Sequence, residues 1–417
     1  MTAQSTIRAQ TGRGFHYDPF SIEAMNDPAS LYPVLRERHP AYYMPQYDAW
    51  AISRYADVWD AFLDSEHFSE AEAQIFSREQ LLVHNEGVAP APMLDPLTIF
   101  NHLDPPLHTR FRQALALPFL KGSVTRMTPT IEALIRDRVE VLGPLGRFDL
   151  NNDFASYVSA GAMCGMLGIP ASEIPEVIRL VNEGGARDPG KPGFTEAGGQ
   201  SVGQLIGMVA GMVAHRRKHE IDPNRLMDAL IDGDFVGRPL TDVEIAKDLV
   251  ALLFGGTETL PKVFAGGLLE LSRRPDQLAA VAADPDRHAP IAVEEMLRFV
   301  APAQWFGRTV RKERLLAGAT LLPGQRVILL IASANRDPRE FDDPDAFVWN
   351  RKARRMLSFG IGAHFCIGIH LARLEGQLML RDFLKAFPRF EIDEAAGTKP
   401  ASEFQIGWTS LPVRVFA

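Results

Sequence analysis

The sequence predicts a mainly α-helical protein with a smaller β region, and three stretches carry that prediction. The run IHLARLEGQLMLRDFLKAF, from Ile369 to Phe387, sets its apolar residues at helical spacing. The stretch from Thr241 to about Ser272, TDVEIAKDLVALLFGGTETLPKVFAGGLLELS, opens on a capping box of Thr241 with Glu244 and carries no charge from Leu249 to Gly256, so it reads as a helix through the interior. Between the two, residues 301–338 are rich in β-formers, and LAGATLLPGQRVIL reads as a hairpin turning at Pro323-Gly324.

The rest of the chain follows in order. From Pro19 to about Glu66 short helices and strands alternate: LYPVLRERHP has helical spacing, and DAWAISRYADVWDAFLD passes from alternation to a helical period. The segment from Phe68 to Asp104 is broken by Gly87, Pro90, Pro92 and Pro96, and so long a loop in a compact domain is usually functional. Asp104-Pro105-Pro106 suits a helix entry, since proline is tolerated in a first turn. Residues Val124 to Val181 are mostly helical. The segment from Asn182 to Gln200 then holds six glycines and two prolines in 19 residues and is expected to be a mobile surface connection without a regular element. Residues Ala289 to Val300 form another helix. Its Glu295 and Arg298 lie three apart, which on a surface would stabilise by only about 0.2–0.5 kcal/mol.

Charge and cysteine usage exclude several classes. With 44 Lys and Arg against 52 Asp and Glu, the net charge of −8 argues against nucleic acid as the main partner. Two cysteines, Cys164 and Cys366, cannot build a disulfide framework, and Cys164 sits in the apolar SAGAMCGMLGI of a core helix, so a reducing, cytoplasmic compartment is expected. No run approaches the roughly 18 apolar residues of a membrane span. The first 15 residues carry Arg8 and Arg13 without an apolar segment and read as a flexible polar tail rather than a secretory signal. His215 and His219 have metal-like spacing, but three cations and no acid of the HExxH kind lie between them, which describes a solvated face.

The chemistry concentrates at Phe359 to Gly368, FGIGAHFCIG. Gly360 and Gly362 permit positive φ and the close approach of a flat ligand, and the following helix offers unpaired N–H groups to a thiolate. A lone cysteine is commonly a small buried hydrophobe; the surrounding pattern overrides that here. F-G-x-G-x-H-x-C-x-G resembles the haem-binding loop of the cytochrome P450 family at every fixed position, with Cys366 where that family has its axial iron ligand. A cysteine thiolate on haem iron favours O–O cleavage. The resemblance implies a single domain over residues 16–417, shaped as a triangular helical prism around a b-type haem.

Further motifs extend the resemblance over nearly the whole chain. His108 and Arg112 lie four apart just after Asp104-Pro105-Pro106 and, where a solvated polar face would be the plain reading, match the family's H-x-x-x-R on a haem propionate. The resemblance adds Arg308 and His364 as propionate ligands, and Phe359 and Gly368 as parts of the haem loop. Gly255, Gly256, Glu258 and Thr259 match the family's [AG]-G-x-[DE]-T, which implies a proton-relay pair beside bound dioxygen. Pro261 removes the N–H that would bond the Thr257 carbonyl, so the helix is expected to open or kink there. Glu295 and Arg298 match E-x-x-R, with Arg351 as the third member of a brace for the haem loop. Met93, Leu94, Phe254, Ala303, Gln304, Phe306 and Ile406 match substrate-facing positions, with Ile75, Phe76, Val83 and Pro92 as further wall candidates; plain core packing explains the apolar ones equally well. Asn182 to Gln200 corresponds to the join between the helices that roof the site, and so to a lid.

The activity implied is a monooxygenase that hydroxylates a small apolar substrate with O2 and two electrons. No flavin or nicotinamide segment is recognised, so a ferredoxin with its reductase is the implied electron source, docked on a basic patch of Arg110, Arg354 and Arg355. Neither nucleic acid nor membrane is an expected partner. A peroxide-driven, coupling or rearranging family member and a haem sensor remain the alternatives; the Glu258 and Thr259 pair argues against the peroxide type.

Overall fold

The computed structural model describes residues 14–85, 87–188, 191, 193–219, 226–353 and 355–416. Nine of its helices build the site: α1 (Tyr55–Leu63), α2 (Leu107–Ala116), α3 (Thr128–Leu142), α4 (Ser156–Leu167), α5 (Ile174–Gly185), α6 (Glu196–Arg216), α7 (Asp242–Ser272), α8 (Pro285–Val300) and α9 (Ile369–Ala386). The longest is α7, 31 residues, opened by the capping box in which Thr241 Oγ1 accepts from the Glu244 amide and the Glu244 carboxylate accepts from the Thr241 amide. Because α7 is apolar on most faces, it is surrounded: α4, α6, α8 and α9 all pack on it. Phe154, Phe264 and Phe383 meet at 5.4–5.9 Å between ring centres and tie α7 to α9 and to residues 150–155. Truncating any of the three to alanine costs about 3–5 kcal/mol by transfer and cavity terms.

The β region is one five-stranded sheet with smaller accessories. Strands β1 (Ala41–Met44), β2 (Ala49–Ile52), β3 (Phe68–Ser69), β4 (Phe306–Val310) and β5 (Arg326–Leu329) lie in the order β1-β2-β5-β4-β3. β2 pairs parallel with β5, Ala49 opposite Arg326, and β4 pairs antiparallel with β5, Phe306 opposite Leu329. A second apolar cluster under this sheet collects Tyr17, Phe20, Tyr32, Phe76, Trp305 and Ile328.

Four expectations are corrected. The hairpin in LAGATLLPGQRVIL turns at Ala317-Gly318, where φ is +50° and +80°, and pairs 314–316 with 319–321. Two positive φ values in succession make the primed turn that matches strand twist, whereas Pro323-Gly324 leads into β5 and the main sheet. The glycine-rich stretch after Asn182 is more regular than its composition: α5 continues to Gly185 and α6 begins at Glu196. Close packing explains this, because a Cβ on Gly184 would lie 2.6 Å from the Phe254 ring and one on Gly198 would lie 2.8 Å from the Glu183 carbonyl. Helix α7 does not open at Pro261 but continues to Ser272, since tertiary contacts bury residues 260–269 and hold the helix there. Phe15, assigned to the flexible tail, stacks on His39 at 5.3 Å; residues 1–13 of that tail lie outside the described residues.

Candidate haem-thiolate site

The cysteine loop is shaped by backbone closure and two left-handed glycines. The Cys366 amide donates to the Phe359 carbonyl at 2.9 Å, closing the loop, and Gly360 and Gly362 adopt φ of +62° and +82°. Gly362 is obligatory on a second ground: a Cβ there would sit 2.4 Å from the Phe62 carbonyl oxygen at the end of α1. Asn335 fastens the loop from outside, accepting from the Leu357 amide at 2.7 Å and donating to Ser358 Oγ at 2.8 Å, while Ser358 Oγ donates to the Leu297 carbonyl of α8. Cys366 lies just before α9, whose N-cap is Gly368. Burial pushes its thiol up; the Gly368 amide and the nearby Arg112 and Arg373 oppose that. The helix start therefore does not ionise the sulfur by itself, and a metal cation is what would deprotonate it.

Behind the loop, the brace is complete. Arg298 binds Glu295 in a two-point pair at 2.7 and 2.8 Å, with both side chains fully buried. Arg351 adds a third contact to Glu295 at 3.1 Å, and the Val348 amide donates to the same oxygen at 2.9 Å. Arg298 also donates to the carbonyls of Asn335 and Pro344. The pair that the resemblance makes a brace is thus an interior joint between α8 and the segment entering the loop rather than a surface contact, with every charge satisfied.

A cationic cradle forms beside the loop from α2, β4 and the loop itself. The rings of His108 and His364 stack at 3.7 Å, and each buries an Nε2 with no hydrogen-bond partner. Burial, then His364, holds His108 at about 3, so it is neutral near pH 7. Arg112, half-buried and facing Cys366, has its pKa lowered by burial and makes no ion pair among the described residues. Arg308 is engaged by Glu70, NH2 to Oε1 at 2.5 Å, and the second Glu70 oxygen lies 2.9 Å from His364 Nδ1.

Helix α7 carries the acid and the alcohol on different faces. Thr259 is exposed to the open space, here the cavity, on the Gly255 face of the helix and donates its hydroxyl to the Gly255 carbonyl at 2.8 Å. A Cβ on Gly255 would meet nothing within 4 Å, so that face is open, whereas Gly256 packs against Met163. Glu258 turns away from Thr259: its Oε1 accepts from Gln405 Nε2 at 2.6 Å and lies 3.3 Å from Lys262 Nζ. It also lies under α5, because a Cβ on Gly185 would come 2.4 Å from Oε1.

Of the wall candidates, Phe254 packs on Gly184, Ala303 bridges to Gln405, Phe306 meets Phe404 at 5.5 Å, and the Ile406 amide bonds the Pro302 carbonyl at 2.9 Å. Ala303, Phe306 and Ile406 gather at the C-terminal loop that carries Gln405, while Phe254 lies under α5. Gln304 does not join them: it is 1% exposed and bonds Tyr32, Ser402 and Ala24 inside the second core cluster. Phe76 is core, while Met93, Leu94 and Val83 are 57%, 50% and 60% exposed. Ile75 and Pro92 are half-buried. Of the suggested docking arginines, Arg110 donates to the carbonyls of Asp234 and Phe235, Arg355 stacks on Trp59 and pairs with Glu340, and Arg354 lies outside the described residues. Sequence reading missed Glu70, Gln74, Lys262, Asn335, Ser358 and Gln405, none of which stands in a motif.

These groups fit an iron porphyrin: a thiol for the metal, two orphaned imidazole nitrogens and an uncommitted guanidinium for carboxylates, and glycines where a flat ligand meets the backbone. The family model described as Cytochrome P450 matches residues 200–416. The chain is 32% identical over 387 residues to a Mycobacterium tuberculosis protein named beta-dihydromenaquinone-9 omega-hydroxylase, covering 91% of this chain and 74% of that one. It is 29% identical over 409 residues to cytochrome P450 130 of the same organism, covering 95% and 96%. Among solved structures, CYP108D1 from Novosphingobium aromaticivorans superposes with a TM-score of 0.80 at 26% identity, over 99% of this chain and 98% of that one. The chain belongs to the cytochrome P450 family. It is a monooxygenase of that family, an oxidoreductase that works with haem iron.

Proposed function

We propose that the chain binds b-type haem with Cys366 as the axial ligand and hydroxylates a small apolar substrate, using O2 and two electrons from a ferredoxin and its reductase. The observation that carries this is the convergence of the two buried, unpartnered Nε2 atoms of His108 and His364 with Arg112 beside the cysteine loop. Bound haem supplies the oxygen chemistry, and the protein supplies ligand, orientation and protons.

Each residue has a role that its geometry allows. With its proton committed to Gly255, the Thr259 hydroxyl offers lone pairs to the cavity, so it accepts a hydrogen bond there and orients what donates it. Glu258, clamped outward by Gln405 and Lys262, stands between that cavity and the C-terminal loop and is the group that passes protons inward. Arg187, beside Gly185, is closed off in a buried pair with Glu403 at 3.1 Å, so it offers no free cation to a substrate carboxylate. An apolar substrate follows, and the mycobacterial relative named for ω-hydroxylation of a menaquinone accords with it. Among the described residues no helix is long and apolar enough to cross a membrane, which suits a cytoplasmic enzyme served by a ferredoxin.

The test is the absorption spectrum of dithionite-reduced protein under carbon monoxide, beside Cys366→His, with a compound library titrated into the ferric form. A strongly red-shifted Soret band lost in the variant supports thiolate ligation, and compounds that displace the water ligand define the substrate class. An unshifted band in the parent protein overturns the assignment of Cys366.

A further inference from the structure

The propionate cradle contains a carboxylate of its own. Glu70, at the end of β3, is 4% exposed, and its two oxygens engage both residues that the family pattern gives to propionates on that side: Arg308 NH2 at 2.5 Å and His364 Nδ1 at 2.9 Å. Gln74 completes the enclosure, its amide donating to Glu70 Oε2. Arg308 has little left to offer, since its NH1 donates to the Gly307 carbonyl at 2.7 Å and its guanidinium lies over the Phe62 ring at 4.9 Å. Asp104 holds Glu70 from the main chain, accepting from the Glu70 amide at 3.0 Å while pairing with Arg311 at 2.8 Å. The arrangement is therefore a built, closed pair, in contrast to Arg112, which makes no ion pair among the described residues.

We propose that Glu70 is an internal counter-carboxylate of the haem site. It neutralises Arg308 from the protein side, so a propionate there meets a closed ion pair and relies on His108, His364 and Arg112 instead. Two consequences follow from charge alone. A fixed buried anion near the haem favours the more positive ferric state and lowers the reduction potential. A propionate denied a free two-point arginine is also held less tightly. Glu70 is thus a positioning residue that sets both the potential and the retention of the cofactor.

The experiment needs neither substrate nor electron partner. The ferric/ferrous midpoint potential and the rate of haem transfer to apomyoglobin are measured for the holoprotein, for Glu70→Gln, and for Glu66→Gln as a control on an exposed acid paired with Lys312. The expected result is a higher potential and several-fold slower transfer in Glu70→Gln, with both quantities at parent values in Glu66→Gln. An unchanged or lower potential in Glu70→Gln, or faster haem loss from it, overturns the proposal. Should that variant fail to fold, Glu70→Gln/Arg308→Gln removes both charges together. Cancelling charges predict a potential near the parent's, and a clear fall in potential would show that Arg308 acts on the haem uncompensated and would sink the idea.

Discussion

At the scale of single residues, the proposed function puts Thr259 and Lys262 on opposite sides of the same step. Replacing Thr259 by alanine removes the oriented hydroxyl; the expected outcome is less product and more hydrogen peroxide per electron consumed, measured by stoichiometry with a surrogate ferredoxin. Lys262→Met removes one of the two donors on Glu258, and the expected outcome is an altered pH profile of coupling, restored by Lys262→Arg. Glu375 on α9 shows how burial tunes a carboxyl. Its Oε2 accepts from Ser159 Oγ at 2.8 Å, its Oε1 is unpartnered, and burial pushes its pKa up to about 8. An acid raised in the folded state holds a proton that the unfolded chain releases, so stability falls as pH climbs from the ordinary glutamate value, about 4.3, to about 8. Glu375→Gln should therefore gain on the parent in denaturant midpoint at pH 8–9, and the gap should shrink toward pH 5. A gap independent of pH would refute that ionisation.

At the scale of elements, the loop and its brace make stronger demands. Gly362→Ala puts a Cβ against the Phe62 carbonyl at a φ of +82°, a backbone conflict of about 1–3 kcal/mol on strain alone. Its expected outcome is a lower melting temperature and poorer haem incorporation, read from the ratio of Soret to protein absorbance. Arg298→Ala leaves the Glu295 carboxylate buried and half-paired, and breaking such an interior joint costs about 3–5 kcal/mol. An exposed pair such as Lys312 with Glu66 is screened by water and contributes far less. A melting shift in Arg298→Ala no larger than in Lys312→Ala would mean that burial of the brace carries no energetic weight.

At the scale of the whole molecule, α7 organises the regions around the cavity. At its first turns Glu244 accepts from the Leu97 amide at 2.6 Å and Asp248 from the Phe100 amide at 2.8 Å, which fastens the loop before α2. Arg238 clamps Glu244 from the other side, and burial pushes Asp248 up to about 7. Midway, Gly255 and Thr259 open the cavity, and Glu258 reaches both the roof at Gly185 and the loop at Gln405. Glu244→Ala is expected to raise amide hydrogen exchange across residues 94–104 while α7 beyond its first turns stays protected. Unchanged exchange there would mean that the loop is held by its apolar contacts alone.

Much of this was legible in the chain because some physics is local. The cysteine loop could be read because glycines stand at fixed offsets around Cys366 where the turn itself needs positive φ, although the Phe62 carbonyl that also demands Gly362 comes from a distant element. The capping box at Thr241, the apolar run from Leu249 to Gly256 and the partners Glu295 and Arg298 likewise declare themselves within one or two helical turns. What depended on distant chain did not. Only the fold shows that Gln304 is a core residue bonded to Tyr32, 272 positions away, or that the hairpin turns at Ala317-Gly318 while β5 joins the main sheet. Pattern identified Arg308 and His364 as cradle residues, but the carboxylate between them comes from Glu70, hundreds of residues earlier. The electrostatic character of a buried site is the sum of charges the fold brings within a few ångströms, and that sum exists only after tertiary packing.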